Sequence, residues 1–173
     1  MWLDRRYNDP FRSGMAVYNI CIARSCQPPD CDHPDCGSCG NACCALEFLF
    51  PLGPDTAFKT LVTDLQNGGA DSLYTYVGSS DLRPYNLTSG AMYMIQAIHT
   101  TLVMRYNDTL DFVVVSTSSS PPLFSVVRIF SVSQIQGALC DAGQNYKNIV
   151  GFIKGLGVEY VQRTVFGCAI TFG

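Results

Sequence analysis

Cysteine is the residue type whose numbers and spacing could do the most chemistry in this chain of 173 residues, which holds nine. Seven of them, Cys21, Cys26, Cys31, Cys36, Cys39, Cys43 and Cys44, crowd into one stretch near the start. Such density belongs to oxidising compartments, where crosslinks replace a core that the local chain cannot build. The run from Gln27 to Gly40, rich in Pro, Asp, Gly and Ser, is turn chemistry and too poor in apolar residues to fold by burial. Zinc is the competing reading, because Cys36-x-x-Cys39 has Cys31, His33, Cys43 and Cys44 nearby. Structural zinc sites usually draw on two separated pairs, however, and no second C-x-x-C occurs, so disulfides are expected and no metal or cofactor is. An odd count leaves at least one thiol free or bridged to another chain. Cys140 and Cys168 either pair with each other or anchor the cluster to the body of the protein.

Catalytic chemistry has little to draw on. The chain has two histidines, His33 and His99, and no nucleophile elbow, zinc-protease motif or phosphate-cradling glycine loop. His99 with Asp108 or Asp111 around the thiol of Cys140 would make a nucleophile–base pair in principle. A lone histidine in a strand is more often a packed, hydrogen-bonded residue, and no enzyme is expected. Two glycosylation sequons, Asn86-Leu87-Thr88 and Asn107-Asp108-Thr109, fall in an expected loop and an expected turn, where glycans belong.

The elements that must position these residues are organised around 91–133. Three runs rich in β-branched and aromatic residues, 91–103, 109–117 and 123–133, read as neighbouring strands joined by turns at 105–108 and 118–122. Leu123, Val127 and Ile129 form one alternating set of the third run, and Phe124, Val126, Phe130 and Val132 the other. Both faces of the sheet therefore call for cover. Gly53-Pro54-Asp55 opens a helix with an apolar stripe of Ala57, Phe58, Leu61, Val62 and Leu65, closed by Asn67-Gly68-Gly69. A short strand follows at 73–77. A second helix, with Asp141 as its cap, carries Tyr146, Ile149, Val150, Ile153 and Leu156, and 158–172 is a long final strand. This order predicts an α+β fold: an antiparallel sheet with two helices on one face, preceded by a disulfide-rich loop segment. Residues 1–50 read as an N-terminal arm whose 21–44 portion is loop, and 51–173 as the α+β domain.

Composition narrows the partners. A net charge of −3 with eleven scattered Lys and Arg offers no basic stripe for a phosphate backbone, so no nucleic acid is expected. No apolar run approaches a membrane span, and the chain is expected not to cross a bilayer. The first ten residues are polar where the apolar core of a signal peptide would lie, so the chain reads as a mature or partial product, or else as one that is not secreted. The cysteines favour the former. Charged residues are only 14% against 47% apolar, which makes a surface apt to associate.

Two stretches, Met104 to Phe112 and Cys140 to Ile149, resemble an uncharacterised family of bacteria and plastid-bearing eukaryotes, the domain of unknown function numbered fourteen ninety-nine. Met104-Arg105-Tyr106-Asn107-Asp108-Thr109-Leu110-Asp111-Phe112 is similar to its Met-Arg-Phe, Asp-Asp, Glu-Phe strand entry. Cys140-Asp141-Ala142-Gly143-Gln144-Asn145-Tyr146-Lys147-Asn148-Ile149 is similar to its Ser-Asp-x-Gly-x-Asn-Arg-x-Arg-Ile helix start. Tyr146 and Asn148 replace the family's two arginines, and Cys140 its serine. The resemblance covers about 55–156 and implies a layered fold without implying an activity.

The function expected from these features is a secreted, disulfide-bonded, N-glycosylated structural protein. It would self-associate into an extracellular fibril or coat through Phe11, Val17 and Ile20 near the start and Phe166, Ile170 and Phe172 at the end, its partners being copies of itself or a larger assembly. The alternative, favoured by the resemblance, is an accessory or assembly subunit of a membrane complex in a plastid or thylakoid lumen. A third class is small-ligand binding between sheet and helices, with Tyr93, Ile95 and His99 as lining.

Overall fold

The computed structural model describes residues 42–117, 123–135, 143–166 and 168. Its elements are β1 (Cys43–Phe50), α1 (Pro54–Gln66), β2 (Tyr74–Asp81), a 3₁₀ turn (Arg83–Tyr85), β3 (Ala91–Thr100), β4 (Asn107–Ser116), β5 (Ser125–Ser133), α2 (Gln144–Gly155) and β6 (Val161–Phe166). The six strands form one sheet in the order β2-β3-β4-β5-β1-β6, with every neighbouring pair antiparallel. The fold is the α+β layer expected from the sequence.

Alternation explains both faces. Leu46, Phe48 and Phe50 of β1, Ile95 and Ala97 of β3, Leu110, Phe112 and Val114 of β4, and Val127 and Ile129 of β5 point to one side and are buried against the helices. There they meet Ala57, Leu61 and Leu65 of α1 and Ile149, Phe152 and Ile153 of α2. On the opposite face Cys43, Ala45, Phe130 and Val132 make a second, smaller buried cluster, with Val165 packed on it. Within 123–133, Val127 and Ile129 thus serve one cluster and Phe130 and Val132 the other, while Leu123 is exposed.

Several expected boundaries shift. Residues 43 and 44, read as loop, begin a strand that runs between β5 and β6, so the sheet includes 43–50. The Cys-Cys-Ala-Leu-Glu-Phe-Leu-Phe run alternates well enough to be a strand once it has neighbours on both sides. Strand β2 runs on to Asp81, beyond the expected 77, because Gly78 to Asp81 find partners in Gln96 to Tyr93. Strand β3 stops at Thr100 rather than 103. Thr101 starts a tight hairpin loop in which its backbone N–H donates to Tyr106 O at 2.8 Å and its hydroxyl oxygen accepts from Tyr106 N at 2.9 Å. Arg105 takes a φ of 57° there.

The final strand joins its own sheet. Val161 to Arg163 pair with Leu49 to Glu47, and Arg163 bonds Glu47 across the ladder. A disulfide, Cys44–Cys168, ties the start of β1 to the segment beyond β6, and both cysteines are buried. Cys43 is disulfide-bonded as well.

Both helices keep their expected places. Pro54 sits in the first turn of α1 beside Asp55, whose charge complements the helix N-terminus. At its other end the N–H of Gly69 donates to Asp64 O at 2.9 Å, with Gly69 at φ 67°. A Cβ at Gly69 would lie 2.5 Å from the Tyr74 ring, so both conformation and space demand glycine. Gly143, at φ 75°, is the residue before α2. The stripe expected for α2 holds for Ile149, Val150 and Ile153, but Asn145, Asn148 and Phe152 are buried with them.

Candidate functional site

The open end of the layered body holds a cleft of about 830 Å³. Its walls come from the turn before β2, the β3–β4 hairpin loop, the end of β5 and the outer turns of α2. That volume falls within the range of small-molecule sites. One part of the lining is polar: Asp71, His99, Asp108, Ser133, Gln144, Lys147 and Asn148. The other is apolar: Leu73, Leu102, Val103, Met104, Tyr106 and Ile135.

The polar part is built by the sheet register. Tyr74 of β2 lies opposite His99 of β3, and His99 opposite Asp108 of β4, so one row across three strands carries a phenol, an imidazole and a carboxylate toward α2. Asn148 is the hub beneath them. Its Nδ2 donates to Asp108 Oδ2 at 2.7 Å, its Oδ1 accepts from Gln144 Nε2 at 2.7 Å, and its backbone oxygen accepts from Tyr74 OH at 2.6 Å. Buried polar groups demand such pairing, and Asn148 has it. Burial and the nearby charges of Asp71 and Asp64 push the Tyr74 phenol well above its usual pKa, so it remains a donor. A second set fixes the first turn of α2: Asn145 accepts from Ser131 Oγ at 2.6 Å and donates to Ala42 O at 3.0 Å and Ser133 Oγ at 3.1 Å.

His99 is 4% exposed. Its Nε2 donates to Asp71 Oδ2 at 3.1 Å, while Asp71 Oδ1 accepts from the backbone N–H of Leu73 at 2.9 Å. The turn shaped by Gly69 thereby aims a carboxylate at the ring. Tyr74 packs against the imidazole, with centroids 4.6 Å apart, and also against Phe152 at 5.2 Å. The Nδ1 atom is buried and has no hydrogen-bond partner. A ring nitrogen donating to a carboxylate leaves the other nitrogen of a neutral imidazole as an acceptor.

The apolar part is the hairpin loop. Leu102, Val103 and Met104 are 72%, 83% and 62% exposed, three consecutive apolar side chains in a loop that holds its shape through backbone bonds. Read from the sequence, Leu102 and Val103 are the end of the 91–103 strand.

The sequence-derived candidates fare unequally. His99 lines the cleft, but Ile95 is in the core, and Tyr93 lies elsewhere, stacked on Phe58 at 4.2 Å with its hydroxyl bonded to Asp55 and Arg83 4.9 Å above its ring. Burial and the Asp55 carboxylate raise the Tyr93 phenol to about 12. Asp108 joins His99 in the site, whereas Asp111 lies on the opposite face, accepting from Gln96 Nε2 at 2.8 Å. Cys140 lies outside the described residues, so the thiol of that trio is not placed. Asn86 is exposed after the 3₁₀ turn at φ 47°. Asn107 opens β4, its Oδ1 accepting from Thr100 Oγ1 at 2.8 Å. Of the expected contact residues, Phe11, Val17, Ile20, Ile170 and Phe172 lie outside the described residues, and the backbone of Phe166 pairs with Ala45. Cys21, Cys26, Cys31, Cys36 and Cys39 also lie outside them. Among the described residues no cluster of three metal-ligating side chains occurs, and no helix is long and apolar enough to cross a membrane.

Asp71, Tyr74, Gln144 and Asn148 were missed by sequence reasoning. Asn148 carried one signal, a polar residue at a core-facing position of an amphipathic helix. The stretches around Asp108 and Asn148, noted above for their resemblance to one family, meet in this hydrogen bond. Neither any protein-family model nor any curated protein matches this chain.

Proposed function

We propose that this protein is a non-catalytic binding module that seats a small amphipathic molecule in the cleft between the β3–β4 hairpin loop and α2. The observation that carries this reading is the juxtaposition in one cleft of a buried, hydrogen-bonded polar floor and a loop of three exposed apolar side chains. Soluble domains rarely leave such a run in water without a use for it. The cysteine content supports reading the module as secreted into an oxidising compartment, and the exposure of Asn86 in its sequon supports a glycan there. The test is titration with the uncharged dye Nile red. Saturable fluorescence at one dye per chain, abolished by Val103→Asp, is the expected result. Binding unaffected by that substitution removes the cleft from consideration.

A second reading rests on a separate observation: Leu49 and Val161, cross-strand partners at the β6 edge, are both exposed. Such an edge suits self-association into an extracellular assembly, or docking to a larger complex as a luminal accessory subunit. Sizing the native protein across a wide concentration range tests it, and a monomer throughout eliminates it.

A further inference from the structure

Resting on the binding role of the cleft, we infer that its ligand presents a hydrogen-bond-donating head group, a hydroxyl or an amine, to the polar end, and lays an apolar tail along the hairpin loop. That end sets acceptors beside the exposed Lys147. Asp71 offers a half-exposed carboxylate and His99 its buried Nδ1, while the Asp108 carboxylate is engaged by Asn148. The tautomer of a neutral His99 follows from its neighbours. Leu73 N–H holds Asp71 Oδ1, which leaves Oδ2 to take the proton on Nε2. A neutral ring fixed in this way carries an unpaired lone pair on Nδ1, which is buried and unpartnered. A buried acceptor without a donor is an unfavourable state that a suitable ligand relieves. Bulk water is shut out from Nδ1. A head group anchored on the Asp71 carboxylate is held beside the ring, and a small turn of the imidazole lets it pair with Nδ1. An acceptor-only head leaves Nδ1 unpaired and is disfavoured beside the ring.

Displacement of Nile red at pH 8.5, above the range in which histidines ordinarily titrate, separates the cases. The probes share a tail: octanol and octylamine carry donors, and methyl octanoate is an uncharged, acceptor-only counterpart. Octanol and octylamine are expected to compete about tenfold better than the ester, the factor expected for one hydrogen bond to a buried group. His99→Phe keeps the ring and loses one of the two acceptors, so the octanol-to-ester ratio should fall several-fold. Asp71→Asn makes a sharper test at a half-exposed position that tolerates change. Leu73 N–H keeps the Asn oxygen, the amide nitrogen then faces Nε2, and the imidazole switches its proton to Nδ1. Binding of the ester should rise several-fold, which mere loosening of the site would not produce. Equal competition by octanol and ester in the unaltered protein overturns the head-group assignment while leaving the cleft as a binding site. Failure of every probe to displace the dye overturns the binding role itself, and this inference with it. Should His99→Phe not fold, the Asp71→Asn result decides.

Discussion

The Asn148 amide bonds a side chain on β4 and one a helical turn before it, and its backbone oxygen takes a phenol on β2, so three elements meet at one residue. Asn148→Ala should therefore destabilise the protein by about 2–4 kcal/mol, since it strips partners from groups that remain buried. Denaturant unfolding gives the number, and a change below about 0.5 kcal/mol would show that water replaces the hub. Tyr93 yields a pH prediction. Its phenol titrates at about 12 in the folded chain against roughly 10 unfolded. The folded state therefore holds the proton that the unfolded state releases, and stability falls with rising pH across that window. Below about pH 10 this contribution is fully present. Buried Tyr74, raised by the same cause, adds in the same direction. Tyrosinate absorbance followed beside the unfolding midpoint checks this, and tyrosines titrating together near 10 in native protein would contradict it.

The turn between α1 and β2 is where an element's geometry decides the site. Gly69→Ala puts a methyl group against the Tyr74 ring in a conformation that L-residues disfavour. It should cost at least ~1 kcal/mol. Because the same turn presents Asp71 to His99, Nile red binding should weaken together with the melting temperature. The hairpin loop behaves oppositely. Its three apolar side chains are exposed, so replacing Leu102 and Val103 by Ser should change stability by no more than about 0.5 kcal/mol while lowering dye affinity several-fold. A large loss of stability would mean that the loop is packed rather than available.

For the whole molecule the Cys44–Cys168 bond joins positions separated by 124 residues and so closes nearly the whole described body into one covalent loop. Cys168→Ser should lower unfolding free energy by about 2–5 kcal/mol, most of it through the added freedom of the unfolded chain. Both sulfurs are buried. Native protein should then resist mild reductant and lose the crosslink only when denatured, as alkylation followed by mass measurement would report.

The layers are legible in the chain as written, through strand-forming runs at 91–133 and two amphipathic helices with their Pro and Gly boundaries, as is an excess of thiols. Each of these follows from local periodicity or composition, which the chain carries wherever it folds. The strand at 43–50 was hidden because a Cys-Cys pair beside a turn-rich run reads as loop until β5 and β6 flank it. The site was harder still. Asp71, Tyr74, His99, Asp108 and Asn148 are scattered over the sequence, and only the register of β2, β3 and β4 together with the docking of α2 brings them into one network. That Leu102 and Val103 leave the sheet was equally hidden, since a strand pattern does not reveal where a backbone loop closes. Local pattern sets which elements form, but pairing across long loops sets which side chains meet.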